Sequence, residues 1–119
     1  MNLTAADLVA DARQRIREIA PTDARLDDSA LLIDVREAAE FASGHLPGAI
    51  NIPRGVLEFQ IDAQPRVAGR AQPILIYCRS GGRAALAADS LQKLGFSDVQ
   101  SIAGGIEAWR TAGLAIVAA

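Results

Sequence analysis

Ile74-Leu75-Ile76-Tyr77-Cys78-Arg79-Ser80-Gly81-Gly82-Arg83-Ala84 is the stretch that decides the fold. Its first four residues follow Pro73 as a short apolar run, which predicts a buried strand. Arg79 to Gly82 form a polar, glycine-rich turn. Arg83 to Leu94 are rich in Ala and Leu and predict a helix, with Gly95 placed to close it at the C′ position. A strand that runs through a tight loop into a helix is the opening half of a parallel βαβ unit.

The same alternation continues outward. Leu31-Leu32-Ile33-Asp34-Val35 predicts a second buried strand, and Ala38 to Ala42 a short helix closed by Gly44. Ala49 to Ile52 reads as a strand ended by Pro53. Val56 to Gly69 reads as broken helix, interrupted by Pro65. Downstream, Val99 to Ile102 is a strand, and Gly104-Gly105 lead into a helix from Ile106 to Thr111. Leu114 to Val117 are expected as a terminal edge strand. At the other end, Leu8, Val9, Ala12, Ile16 and Ile19 have the spacing of an amphipathic helix over Ala5 to Ile19. Thr4 is its expected N-cap, with Asp7 completing a capping box. Short apolar strands alternating with helices imply an α/β domain with helices on both faces of a mainly parallel sheet. In such sheets ligands lie beyond the carboxyl ends of the strands, and Cys78 falls at one of those ends.

The 119 residues suit one ordinary domain, and 50% of them are hydrophobic, enough for a sizeable core. Twelve Lys and Arg face fourteen Asp and Glu, with no long run of one sign. That balance gives no sign of nucleic acid or of a membrane surface as partner. The first residues lack the basic start and apolar stretch of a signal peptide, and no run is long and apolar enough to span a bilayer. A cytoplasmic protein is the expectation.

There is one cysteine and one histidine. An internal disulfide, a Cys-x-x-Cys redox pair and a structural zinc site from this chain alone are thereby excluded. Chemistry at Cys78 has to use a single thiolate. The first N–H groups of a helix lack internal partners, and loop amides beside them can curl into an anion-binding nest. Gly81 and Gly82 permit the backbone conformations this needs. Arg79 and Arg83 add positive charge. The arrangement favours a sulfur anion at Cys78, so Cys78 is the candidate nucleophile and Arg79, Ser80, Gly81, Gly82 and Arg83 are the candidate binding loop. A cysteine that merely fills the core at a strand end is the plain alternative.

Three motifs resemble the rhodanese homology domain. Asp34-Val35-Arg36-Glu37 with Glu40-Phe41 and Gly44-His45-Leu46-Pro47-Gly48-Ala49 is similar to the family's first signature. Cys78-Arg79-Ser80-Gly81-Gly82-Arg83 is similar to its active-site loop. Gly104-Gly105-Ile106 with Glu107-Ala108-Trp109 is similar to its C-terminal signature. The resemblance runs from about residue 17 to residue 117. It implies a three-layer α/β/α domain with about five strands over residues 17–119, and the helix read from the N-terminal spacing precedes it as an extension over residues 1–16. It also implies a sulfurtransferase: a small anionic donor such as thiosulfate loads sulfur onto Cys78 as a persulfide, and an external acceptor, a protein or a small thiol, removes it. No metal and no organic cofactor are implied.

Two other functions stay in view. Cysteine-dependent phosphatases place five residues between Cys and Arg, whereas four lie between Cys78 and Arg83, and the resemblance ties the shorter loop to sulfur transfer. Some rhodanese-like domains are binding modules without catalysis, and these commonly lack the cysteine. Among the remaining residues, Asp34 and Arg36 are supporting candidates. Asp34 is expected to tie a loop together, and Arg36 to pair with Glu37 or Glu40. His45 is expected to serve the loop architecture, Trp109 to pack in the core, and Arg54 to be a solvated surface arginine.

Overall fold

The computed structural model describes residues 2–118, so Met1 of the expected extension and Ala119 of the expected domain lie outside it. In chain order the elements are α1 (Ala5–Arg13), β1 (Arg17–Ile19), β2 (Leu31–Asp34), α2 (Ala38–Ala42), β3 (Ile50–Asn51), α3 (Leu57–Gln60), β4 (Ile74–Tyr77), α4 (Gly82–Lys93), β5 (Val99–Ile102) and α5 (Gly105–Thr111). Short 3₁₀ turns cover Pro21–Asp23, Arg54–Val56 and Ile61–Ala63. The five strands form one parallel sheet in the order β1-β5-β4-β2-β3.

Every residue of β2 and β4 is buried, as continuous apolar runs in a parallel sheet must be. Their side chains alternate between two cores. Leu31, Ile33, Ile74 and Ile76 join Ala84, Ala87, Ala88 and Leu91 of α4 on one face. Leu32, Leu75 and Tyr77 join Ile106 and Trp109 of α5 on the other. Ile33 and Ile76 are fully buried, and truncating either to Ala would cost about 2–5 kcal/mol.

Two elements differ from the reading of the sequence. The amphipathic pattern that extends to Ile19 is helical only to Arg13. Thr4 caps α1 as expected: its hydroxyl accepts the Asp7 amide at 3.2 Å and its own amide donates to Asp7 Oδ2 at 2.8 Å. Beyond Gln14 the chain turns and Arg17–Ile19 pair with Gln100–Ile102 of β5. Apolar residues at 16 and 19 fit either period. The open edge of β5 decides for the strand, because its backbone groups need partners. Conversely, Leu114–Val117 form no strand. They make a single antiparallel bridge, with His45 and Val117 exchanging backbone hydrogen bonds at 3.0 and 2.8 Å. The sheet thus has the expected five strands, with β1 rather than the C-terminal segment as the fifth.

Helix α1 packs along α4. Ala12 is 1% exposed, Arg15 grips the Asp89 carboxylate through two hydrogen bonds of 2.9 and 2.8 Å, and Gln92 Nε2 donates to the Arg15 carbonyl at 2.9 Å. The Arg15 guanidinium holds the Asp89 carboxyl below the usual carboxylate range.

Candidate active site

Cys78 follows directly on β4 and is 1% exposed. Its Sγ accepts hydrogen bonds from the backbone amides of Gly81 at 3.1 Å and Ala84 at 3.3 Å. The chain doubles back over its own sulfur to do this. Gly81 makes that reversal at φ +116° as the N-cap of α4, a conformation that side-chain-bearing residues rarely adopt. Two donors aimed at one sulfur, with the positive end of a twelve-residue helix behind them, favour negative charge on that atom. The Ala84 donor lies one residue beyond the loop expected from the sequence. The offset of helix N–H groups from their own side chains explains it: the amide at the third helical position is still an orphan pointing out of the helix end.

The loop is braced from beneath. Ile106 donates its amide to the Cys78 carbonyl at 2.9 Å, and Glu107 donates to the Arg79 carbonyl at 3.1 Å. The first turn of α5 therefore holds the two residues that start the loop. Gly105, at φ +61°, passes so close that a Cβ there would lie 2.6 Å from the Arg79 carbonyl oxygen and collide with that of Cys78. Gly105 is a packing requirement of the loop, whereas a Cβ on Gly104 would meet Ala108 one turn along α5, at 2.5 Å.

The two loop arginines turn outward to carboxylates. Arg83 binds Glu40 through Nη1 and Nη2 at 2.7 and 3.1 Å. Its guanidinium pushes the Glu40 carboxyl down to about 2. Arg79 lies 3.5 Å from Glu107 and is well exposed. Glu40 also accepts the Glu37 amide at 3.0 Å, capping α2. The sequence pointed to Arg36 as the partner of Glu40. The structure gives Glu40 to Arg83 instead, because Arg36 is drawn inward.

Asp34 and Arg36 form a buried pair, 0% and 4% exposed. Arg36 donates to Asp34 from its backbone amide at 2.8 Å, from Nε at 3.1 Å to both oxygens and from Nη2 at 2.7 Å, and Nη2 also reaches the Gly44 carbonyl at 2.7 Å. Asn51 Nδ2 donates to the Asp34 and Arg36 carbonyls at 3.0 Å each. This network fixes the β2–α2 connection to β3 and to the turn at Gly44. The Arg36 guanidinium lies 5.8 Å from the centre of the Tyr77 ring. Burial, helped by the Asp34 carboxylate, raises the Tyr77 phenol above its ordinary range, so it stays protonated while its oxygen accepts the Leu46 amide at 3.1 Å.

The rest divides simply. His45 stacks on Phe41 with ring centres 3.8 Å apart and its Nδ1 lies 3.1 Å from the Phe41 carbonyl. Trp109 is buried and donates Nε1–H to the Ala115 carbonyl at 2.8 Å. Arg54 is tied down rather than free in solvent: it binds Glu58 at 3.0 and 3.1 Å and reaches Ser90 Oγ at 3.3 Å. Among the described residues no cluster of His, Cys, Asp and Glu could hold a metal ion, and no helix is long and apolar enough to cross a membrane. A surface cavity of about 270 Å³ opens beside the loop, lined by Arg36, Glu40, Ser43, Arg79, Glu107 and Arg110 among others.

Comparison with known proteins gives the family. The sequence model of the rhodanese-like domain matches residues 19–112. A sulfurtransferase of Allochromatium vinosum is 36% identical over 91 residues, which cover 76% of this chain and 81% of that protein. The thiosulfate sulfurtransferase GlpE of Pseudomonas putida is 38% identical over 87 residues, covering 72% and 74%. A solved structure from Rhodopseudomonas palustris, described as a protein of unknown function and possible tyrosine phosphatase, superposes with a TM-score of 0.84 at 31% identity over 98% of this chain and 96% of that one. With a parallel five-stranded sheet, a strand–Cys–loop–helix site and this match over most of its length, the chain belongs to the rhodanese-like domain family.

Proposed function

We propose that this protein is a sulfurtransferase that carries sulfane sulfur as a persulfide on Cys78. The observation that carries the reading is the pair of amide hydrogen bonds from Gly81 and Ala84 to Cys78 Sγ. In this reading those donors hold the sulfur anion that attacks the donor and the one carried beyond it once loaded. The names of the relatives, which include thiosulfate sulfurtransferases, support the same reaction class.

The chemistry balances without a metal or organic cofactor. The Cys78 thiolate attacks the outer sulfur of a donor such as thiosulfate. The S–S bond of the donor breaks, sulfite leaves with the electron pair, and Cys78 becomes a persulfide anion. A thiophilic acceptor then attacks the terminal sulfur and the thiolate is restored. No proton transfer is needed in the first step, which suits a site whose one histidine is engaged with Phe41. The chain has no second cysteine, so the persulfide is not resolved as an internal disulfide and sulfur has to leave to an outside acceptor. In this reading Arg79, Ser80, Gly81, Gly82 and Arg83 form the wall of the sulfur site, while Asp34 and Arg36 support it from the neighbouring strand. A cytoplasmic setting, where thiols stay reduced, fits a lone working cysteine.

Phosphate-ester hydrolysis is the second reading, favoured by the description of the Rhodopseudomonas palustris neighbour. It requires a cationic clamp across three phosphoryl oxygens. Here Arg83, the arginine closing the loop, is spent on Glu40. A turnover assay decides. Thiosulfate and cyanide should yield thiocyanate and sulfite in equal amounts, with loss of activity in Cys78→Ser. Cys78-dependent hydrolysis of an aryl phosphate without thiocyanate formation would reverse the ranking.

A further inference from the structure

We propose that Arg13, at the end of α1, is the side chain that binds the oxyanion end of the sulfur donor, so that the N-terminal helix is part of the site. The proposal rests on the sulfur-transfer reading and adds to it a residue outside the cysteine loop.

Four observations carry it. First, Arg13 Nη2 lies 3.2 Å from the point where a Cβ on Gly81 would stand. The missing side chain at 81 is what lets the guanidinium lie on the loop. Gly81 is also the residue whose amide donates to Cys78 Sγ at 3.1 Å. Stepping from Nη2 through that Cβ point and the amide nitrogen bounds the Nη2–Sγ separation at about 9 Å. A persulfide donor ending in a sulfonate bridges much of such a gap.

Second, Arg83 is already held by Glu40 through two short contacts, and Arg79 is paired with Glu107 at 3.5 Å. Arg13 has only Glu18, at 3.9 Å, the longest of the described ion pairs. Such a contact in half-exposed surroundings is weak, so the guanidinium is free to bind an anion. Its planar fork presents paired donors that match two oxygens of a sulfonate.

Third, α1 is rigidly seated. Arg15 is locked on Asp89, Ala12 is buried, and Val9 lies 3.7 Å from the Cβ point of Gly82. Arg13 is therefore presented to the loop by a fixed helix. Fourth, Cys78 is itself 1% exposed. A donor therefore meets the residues around the loop before it meets the sulfur, and Arg13 is one of them.

The test separates binding from turnover. In a Cys78→Ser background, thiosulfate binding is measured by calorimetry for the parent and for Arg13→Gln, Arg13→Lys and Arg17→Gln. Arg17 is an exposed arginine of the same net charge, paired with Asp98 at the start of β1. Arg13→Gln should weaken binding about tenfold, Arg13→Lys less, and Arg17→Gln within twofold. In the Cys78 protein the KM for thiosulfate should rise about tenfold in Arg13→Gln with kcat nearly unchanged. Equal affinity of parent and Arg13→Gln, or no thiosulfate binding by the parent, overturns the role of Arg13. Failure of sulfur transfer as a whole shows separately, as a wild-type protein that no donor can load.

Discussion

The amide of Ile106 donates to the carbonyl of Cys78 at 2.9 Å, so the helix after β5 holds the residue that follows β4. Two segments nearly thirty positions apart are joined through their main chains, and Gly105 is the residue that permits the approach. Replacing Gly105 by Ala forces a Cβ into the Arg79 carbonyl and imposes a positive φ on a residue that resists it. Gly105→Ala should lose about 2 kcal/mol or more of stability in urea titration and most of its thiocyanate-forming activity. A variant that keeps both would show that this contact does not shape the loop.

The Asp34–Arg36 pair is buried and its members share several hydrogen bonds. Removing one partner leaves an uncompensated charge in the interior. Arg36→Gln and Asp34→Asn should each cost about 3–5 kcal/mol. Denaturant melts of the two single variants check this, and losses under 1 kcal/mol in both would contradict it.

Glu40 provides a pH prediction. Its carboxyl is held down to about 2 by Arg83, below the ordinary value of 4.5. A depressed carboxyl contributes stability that is fully present above its unfolded value. That contribution fades as pH falls from about 4.5 towards about 2. Both side chains are about one-third exposed, so screening limits the effect to about 1 kcal/mol. The difference in Tm between wild type and Glu40→Gln should shrink as pH is lowered through this window. A difference that is constant from pH 7 to pH 2.5 would argue against the pair.

Arg15→Ala removes the two hydrogen bonds that seat α1 on Asp89. Lys93, 3.3 Å from Asp89, remains to cover the carboxylate. The loss should be about 1–2 kcal/mol, with faster amide exchange confined to α1. Uniform acceleration over the whole sheet would mean that the helix and the domain open together.

The central strand, loop and helix were legible because each signal was local: Pro73 before an apolar run, two glycines, then an Ala-rich helix up to Gly95. The candidate nucleophile and the position of its loop followed from that order. What the sequence concealed depends on contacts between distant segments. Ile16 and Ile19 fit a helix until the edge of β5 claims Arg17–Ile19 as a strand. Arg36 and Glu40 have ideal helical spacing, yet Arg36 turns back to Asp34 and Glu40 reaches Arg83 across the site. The Ala84 donor and the position of Arg13 over Gly81 had no local signal. The Gly104-Gly105 pair did, but the reason for Gly105, the approach to Cys78 and Arg79, is visible only in three dimensions.

The most direct measurement is the intact mass of the protein after incubation with thiosulfate and removal of excess donor. Sulfur carriage on Cys78 predicts a gain of about 32 Da, one sulfur atom, that cyanide removes and that Cys78→Ser never acquires. An unchanged mass with every sulfane donor tried, or the same gain in Cys78→Ser, would contradict it.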